Sequence, residues 1–302
     1  MTNVNSIKTI NKRLNSKNRK KRNLNILFNS TFRYIILTLG AIVMLYPILW
    51  LIGASFKNNN EIFTSIGIFP RTFDFSSYIK GWITQTQYTF STYFINSFKM
   101  VIPKVILTVI SSVITAYAFS RFDVPYKNFL FSALISTMFL PQIVTRIPLY
   151  LLFKKLNLLD TYVPLYANDI FANEAFFVFL LIQFFRTIPR EIDEAAAIDG
   201  CNSFELLLRV LIPNLKPAII SVVLFQFLWS MDDFMGPLIY ISSVEKYPVS
   251  LALRMAIDNT GSIIQWNQII AMSLIALLPS IILFLSAQKY FVEGIVTTGL
   301  KG

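Results

Sequence analysis

Residues 34–56 run for roughly six helical turns without one charged side chain. A run of that length and polarity constrains the chain more than any other feature, because a bilayer core is crossed by about 20 apolar residues in a helix. The pattern recurs. Further spans are expected at about Phe98–Ser120, Asn128–Thr145, Tyr162–Phe185, Ala218–Ile239 and Trp266–Ala287. The fourth is the weakest, because Asp169 and Glu174 interrupt it, and the fifth carries Asp232 and Asp233. Only 14% of residues are charged, against about 25% in a soluble domain. The missing charges are missing in blocks. Strands of a barrel would be about ten alternating residues long. These runs are longer and do not alternate, so the fold class read here is an all-α membrane protein with six transmembrane helices.

Several chemistries are excluded by residue counts. There is no histidine and a single cysteine, Cys201. Histidine triads, most zinc and haem sites and internal disulfides are therefore ruled out. No phosphate-loop or dinucleotide fingerprint occurs, so any ATP must be bound by another subunit. No internal repeat is visible, which counts against the paired halves of many secondary transporters.

The formal charge of +11 is concentrated at one end. Residues 1–33 hold nine Lys and Arg and no acid. A basic run can bind nucleic acid, but this one leads straight into a hydrophobic span. It reads as a cytoplasmic tail touching anionic lipid, with no nucleic-acid partner. It is too long and basic for a signal n-region, and the span behind it is too long for a cleaved one. With the N-terminus inside, inner segments hold 17 Lys and Arg and outer segments nine. An even number of spans places both termini in the cytoplasm.

The segment Arg186–Pro217 carries nine charges in 32 residues, too many to lie in lipid. It still has helical grammar. Pro189 suits a first turn, and Glu191, Asp193 and Glu194 follow where acids favour the positive end of a helix dipole. Ala195–Ala197 are strong helix formers, and Gly200 fits a C-terminal stop. Asn202 offers an N-cap, with Glu205 three residues on as in a capping box. Phe204, Leu207, Leu208 and Leu211 are expected to line one face of a second short helix limited by Pro213 and Pro217. The expectation is a helical hairpin lying flat at the inner membrane surface.

Glu194-Ala195-Ala196-Ala197-Ile198-Asp199-Gly200, nine residues, then Val210-Leu211-Ile212-Pro213 resembles the EAA loop of ABC importer permeases. Val210 and Ile212 are conservative departures. Asn96-Ser97, Ala116–Phe122, Gln183–Pro189, Pro237–Ile239 and the closing Gly299–Gly302 extend the resemblance to binding-protein-dependent carbohydrate permeases of the maltose-transporter G-subunit type. It covers essentially residue 34 to the end. The resemblance implies a type I ABC importer fold with a core of about 92–288, a tail of 1–33 ahead of it, and an EAA loop within 186–217. It implies ATPase coupling through Glu194, Ala195, Ala196, Asp199, Gly200, Val210, Ile212 and Pro213. It implies a second homologous permease subunit, an ATPase dimer inside that uses ATP and Mg, and an extracytoplasmic solute-binding protein outside. The segment 241–265 would reach toward that protein. This chain would bind no cofactor or metal, lack an ATPase site of its own, and sit in a prokaryotic cytoplasmic membrane.

Ionisable groups inside a membrane are functional by default. Asp232 and Asp233 are expected in the outer half of the fifth span, facing a polar path or pairing with Lys104 or Arg146. The family stretch W-N-D/E-F-x-x-P reads Trp229-Ser230-Met231-Asp232-Asp233-Phe234 onward here, with Asp232 in the Asn position. Trp229, Phe227 and Phe234 are the aromatics beside the aspartates. Alternatives are lysine snorkelling with aspartates in a wet mouth, and a transferase holding Mg²⁺ on the aspartates. The second lacks any phosphate site and places its carboxylates outside. A stand-alone transporter leaves the EAA loop unexplained. The resemblance implies a carbohydrate as the solute, an oligosaccharide first. Lys99, Lys104 and Arg146 admit a uronate-bearing sugar, and glycerol phosphate or a polyol is a further option.

Overall fold

The structure, a computed structural model, describes residues 31–84, 88–258 and 264–299. Most of the basic tail (1–30) and the last residues of the closing run (300–302) lie outside the described residues. Every regular element among the described residues is helical. The chain divides between Phe73 and Asp74 into two compact units.

The first unit holds α1 (Thr31–Ala54) and the short α2 (Asn59–Thr64). α1 is the uninterrupted apolar helix expected from the first charge-free run. Asn58 caps α2 by accepting from the Glu61 amide at 2.8 Å. Lys57 is fully buried, and its ammonium donates to the carbonyls of Ser65 and Gly67. Glu61 accepts from the Arg71 amide at 2.8 Å. A cation buried against carbonyl oxygens is one way such a loop satisfies its backbone acceptors without water.

In the second unit, α3 (Ser76–Thr84) precedes α4 (Phe90–Arg121), a helix of 32 residues. At 1.5 Å per residue α4 is roughly 48 Å long, more than a bilayer core. It is the spine of the unit. Three packed clusters follow one another along it. Phe90 and Tyr93 meet Val249, Ala252, Ala271 and Met272. Met100, Val101 and Val105 meet Phe153, Leu165 and Tyr240. Val113, Ala116 and Tyr117 meet Phe177, Phe185, Leu207 and Leu211. Lipid is as apolar as leucine, so close packing rather than transfer from water holds such helices together. Buried Ser97, Thr108, Ser111 and Ser112 keep one face of α4 small enough for neighbours to approach.

The remaining spans depart from the continuous helices expected. The third divides into α5 (Lys127–Thr137) and α6 (Gln142–Lys155). Pro141 lies between them, and proline both lacks an N–H and forces its predecessor out of the helical region. The fourth begins with α7 (Val163–Tyr166) and a 3₁₀ turn (Ala167–Phe171), then continues as α8 (Ala175–Thr187). The hairpin follows as α9 (Glu191–Ile198), then α10 (Ser203–Glu205), a π-helical stretch (Leu206–Leu211) and α11 (Ile212–Asn214). At Leu215 the axis turns through 79° into α12 (Lys216–Met231).

The fifth span therefore ends at Met231, not near Ile239. Residues 232–234 are non-helical, and α13 (Met235–Tyr240) starts beyond them. After a 3₁₀ turn (Val244–Lys246) come α14 (Val249–Asp258) and α15 (Trp266–Gly299). α12 packs between α4 and α15. Four helices of the described chain are long and apolar enough to cross a membrane, or five with the bent pair around Leu215. Of the six expected spans, the third, divided at Pro141, is not among these, and the fifth counts only as part of the bent pair.

Candidate functional site

The caps and turn of the hairpin 191–214 form as its sequence dictates, although α9 starts at Glu191 and leaves the expected first-turn Pro189 outside the helix. Three acids occupy the first turn of α9. Gly200 sits at φ +84, a left-handed conformation that side chains resist. The Asn202 carboxamide accepts from the amides of Phe204 and Glu205 at 3.0 and 2.9 Å, and the Asn202 amide donates to Glu205 at 3.2 Å. The expected capping box is complete. Glu194, Ala195, Asp199, Gly200 and Pro213 are exposed, Val210 and Ile212 half-buried, and Ala196 buried.

The expected single apolar face of the second helix is not formed. Leu207 and Leu211 are buried against Tyr117 and Phe185, whereas Phe204 is 67% and Leu208 47% exposed. The π-helical stretch is the local reason. The Ile212 amide bonds to the Leu207 carbonyl, five residues back. That wider turn directs two leucines inward and leaves the others out. Ile198, at the end of α9, is 86% exposed. The hairpin thus offers Ile198, Phe204 and Leu208 as an apolar tip among charges.

The hairpin is also fixed to the end of α4. The Tyr117 hydroxyl donates to the Ser203 carbonyl at 3.0 Å. Arg121 donates to the Ile188 carbonyl at 3.0 Å and Arg190 to the Ser120 carbonyl at 3.4 Å. Arg121 Nε lies 2.7 Å from Asp193 Oδ2. Burial pushes the Asp193 carboxyl above its ordinary value, while Arg121 and Arg190 oppose that shift. Tyr117 and Arg121 stand in the quoted Ala116–Phe122 run, but their contacts with a hairpin some 70 to 90 residues away cannot be read from it.

A second site opens beside the middle of α4. A cavity of about 760 Å³ is lined by Lys104, Arg146, Trp229 and Asp233, four of the six residues expected on a path. Asp232 is exposed and Phe234 half-buried, and neither lines it. The structure adds Asp169, Glu174 and Gln226 to the wall. Asp169 is 3% exposed; its carboxylate accepts from the Thr108 hydroxyl at 3.3 Å and its carbonyl from Ser111 at 2.6 Å. Lys104 lies within electrostatic reach of Asp169 and Glu174. The ion pairs of the described residues lie elsewhere, so neither Asp232 nor Asp233 is bridged to Lys104 or Arg146. The signal for Asp169 and Glu174 was present in the sequence, as charges interrupting the fourth span.

Local chemistry places Asp233. Its carboxylate accepts from the Gly236 amide at 2.9 Å, closing the break after α12. A Cβ at Gly236 would lie 2.5 Å from Asp233 Oδ2 and 3.2 Å from Leu165. Trp229 stacks on Phe177 at 5.1 Å and 28°. The cavity wall offers two cations, three carboxyls and the amides of Asn168, Asn173 and Gln226.

Comparison with known proteins places the chain in a family. The family model described as "Binding-protein-dependent transport system inner membrane component" matches residues 108–296. The ABC transporter permease protein ORF2 of Caldicellulosiruptor sp. is 32% identical over 89% of this chain and 96% of its own. The arabinooligosaccharides transport system permease protein AraQ of Bacillus subtilis is 29% identical over 87% of this chain and 92% of its own. A crystal structure of a bacterial ABC transporter involved in the import of the acidic polysaccharide alginate contains a chain with the same fold. The TM-score is 0.75 at 24% identity, over 87% of this chain and 96% of that one.

Proposed function

The chain belongs to the family of binding-protein-dependent transport system inner membrane components, and from that premise we propose that it is one half of an ATP-driven importer for a carbohydrate. It is a multi-pass membrane protein. In this reading a second homologous permease completes the pathway, two ATPase subunits bind the hairpin in the cytoplasm, and a solute-binding protein delivers sugar from outside. Both termini lie in the cytoplasm, six spans cross the membrane, and the chain hydrolyses nothing itself. The domain that does this is 34–302, with its core at about 92–288 and residues 1–33 as a basic tail.

The single observation that carries the reading is the hairpin. It exposes Ile198, Phe204 and Leu208 while Tyr117, Arg121 and Leu211 tie it into the helical unit. A short body with an apolar tip and a rigid root transmits displacement. ATPase closure would move the tip, and α4 would carry that motion toward the cavity. Glu194, Ala195, Ala196, Asp199, Gly200, Val210, Ile212 and Pro213 shape the tip and its turn. The wall formed by Lys104, Arg146, Trp229 and Asp233 belongs to the path, with Asp232 and Phe234 at the adjoining break.

A relative's name, arabinooligosaccharides permease, supports an oligosaccharide as the solute. The cavity narrows the choice further. Its two cations face three carboxyls, so it is not tuned to an anion. A neutral polyhydroxyl solute, which both donates and accepts hydrogen bonds, fits better than a uronate. The test is ATPase activity of the purified complex in liposomes, with and without loaded binding protein, and uptake of neutral against uronate oligosaccharides. Stimulation with preferential neutral uptake supports the reading. A complex that pumps normally without residues 191–214 overturns it.

A further inference from the structure

Asp160 is the centre of a polar cluster that neither the hairpin nor the cavity uses. It lies between α6 and α7, at φ +59. Its carboxylate accepts from the amides of Ser242 and Ser243 at 3.0 and 2.8 Å and from the Ser243 hydroxyl at 2.6 Å. The Lys246 ammonium lies 2.8 Å from both the carboxylate and the Asp160 carbonyl. The Asp160 amide donates to the Tyr240 carbonyl at 2.8 Å. One residue thus fixes a segment more than 80 positions away by side chain and backbone together.

The fixation continues to α14. The Tyr162 hydroxyl donates to the Lys246 carbonyl at 3.0 Å. The Asn96 carboxamide donates to the carbonyls of Glu245 and Tyr247 at 2.7 and 3.2 Å. The Val249 amide donates to the Ser97 hydroxyl at 3.0 Å, and the Ser250 hydroxyl to the Asp233 carbonyl at 3.1 Å. Asn96 and Arg121 are 25 residues apart on α4, roughly 37 Å, so this cluster is at the far end from the hairpin. Burial pushes the Asp160 carboxyl up, but the bonds from Lys246, Ser243 and Ser242 outweigh it and hold the group well below its ordinary value. A carboxylate with this many donors, one of them charged, makes a strong contact.

We propose that Asp160 is a positioning residue for the outer docking surface: it locks residues 242–247 so that α14 meets the solute-binding protein in one preset pose. This rests on the functional reading above, in which the end opposite the hairpin faces outward. The physical gain is preorganisation. A loop already ordered loses less conformational freedom when a partner binds, so affinity rises without a new contact.

The test uses the complete complex in nanodiscs with its cognate binding protein. Asp160→Gly removes the carboxylate without straining a left-handed position. It is expected to speed amide exchange across 241–249 and to raise the binding-protein concentration for half-maximal ATPase stimulation about tenfold, with the maximal rate unchanged. Asp160→Asn keeps an acceptor but not the charge, and should shift both readouts less. Lys246→Met, which leaves the amide bonds in place, serves if the glycine variant fails to assemble, and is expected to shift half-saturation about threefold. An unchanged half-saturation point in these variants, or a fall in maximal rate alone, overturns the proposal. If the wild-type complex shows no stimulation at any binding-protein concentration, the functional reading itself fails and takes this inference with it.

Discussion

Arg121 Nε stands 2.7 Å from Asp193 Oδ2, with only 8% and 17% of the two side chains exposed, so the last turn of α4 is paired with the first turn of α9. The hairpin is therefore not merely strung between α8 and α12. Removing one partner leaves the other charge largely out of water, which for fully buried pairs costs roughly 3–5 kcal/mol. Partial exposure reduces that, so Arg121→Met should destabilise by about 2 kcal/mol. Asp193→Asn should cost less, because Arg121 keeps the Ile188 carbonyl. In thermal unfolding of the complex the double variant should be less harmful than the sum of the two. Strict additivity would show that the pair does not couple.

Gly200→Ala tests the turn itself. A Cβ there meets no atom within 4 Å, so the cost is backbone strain at φ +84. About 1 kcal/mol is expected, with Gly200→Asn milder because Asn tolerates that region. Solute-stimulated ATPase activity should fall in the same order. Equal activity in all three would separate the turn from coupling.

Phe204→Ala should leave stability almost unchanged, because the side chain is 67% exposed. It should weaken retention of the ATPase subunits by tenfold or more, as loss of an aromatic anchor does at interfaces. Leu211→Ala is the contrast: fully buried, it should cost about 2–5 kcal/mol by the measure of soluble cores. Pull-down and melting of the two variants should dissociate. A melting loss for Phe204→Ala equal to that of Leu211→Ala would contradict the division of the helix face.

Gly236→Ala is predicted to displace Asp233 from the cavity, since its new methyl would lie 2.5 Å from the carboxylate. Uptake should drop while retention of the ATPase subunits, which depends on the hairpin, stays at wild-type level. Asp233→Asn should reproduce the uptake loss. Normal uptake by both would remove Asp233 from the path.

The Asp160 cluster should resist acid. The Asp160 carboxyl in the folded protein is held below its ordinary 3.8. Its stabilisation is therefore complete above that ordinary value and lost only as pH falls through the lower folded one. Exchange protection at Ser242 and Ser243, corrected for intrinsic rates, should be flat from neutral pH down to 3.8. Progressive loss of protection well above that point would show that the carboxylate is not the anchor.

What could be read in the chain was what depends on neighbours in sequence. Charge-free runs of sufficient length must be helices, because lipid supplies no partner for a backbone N–H. The caps at Asn202 and Glu205, the acids of the first turn of α9 and the glycine turn are contacts over a few residues, and all formed as expected. The spacing from Glu194 to Pro213 carried the family likeness. Pro141 is equally visible along the chain, and a proline at that place is enough to divide the third span.

What the tertiary structure decided was everything that joins distant segments. Nothing local distinguishes Leu207 from Leu208. The π turn and the Tyr117 and Phe185 rings choose between them. The partners of Arg121 and Asp160 lie more than 60 residues away, so their identity depends on how helices stack, not on any pattern along the chain. The same holds for the cavity, where Lys104 faces Asp169 and Glu174 rather than an ion pair with Asp232. Helix formation is settled by hydrogen bonds four residues apart, whereas packing is settled by which faces meet, and only the folded chain brings those faces together.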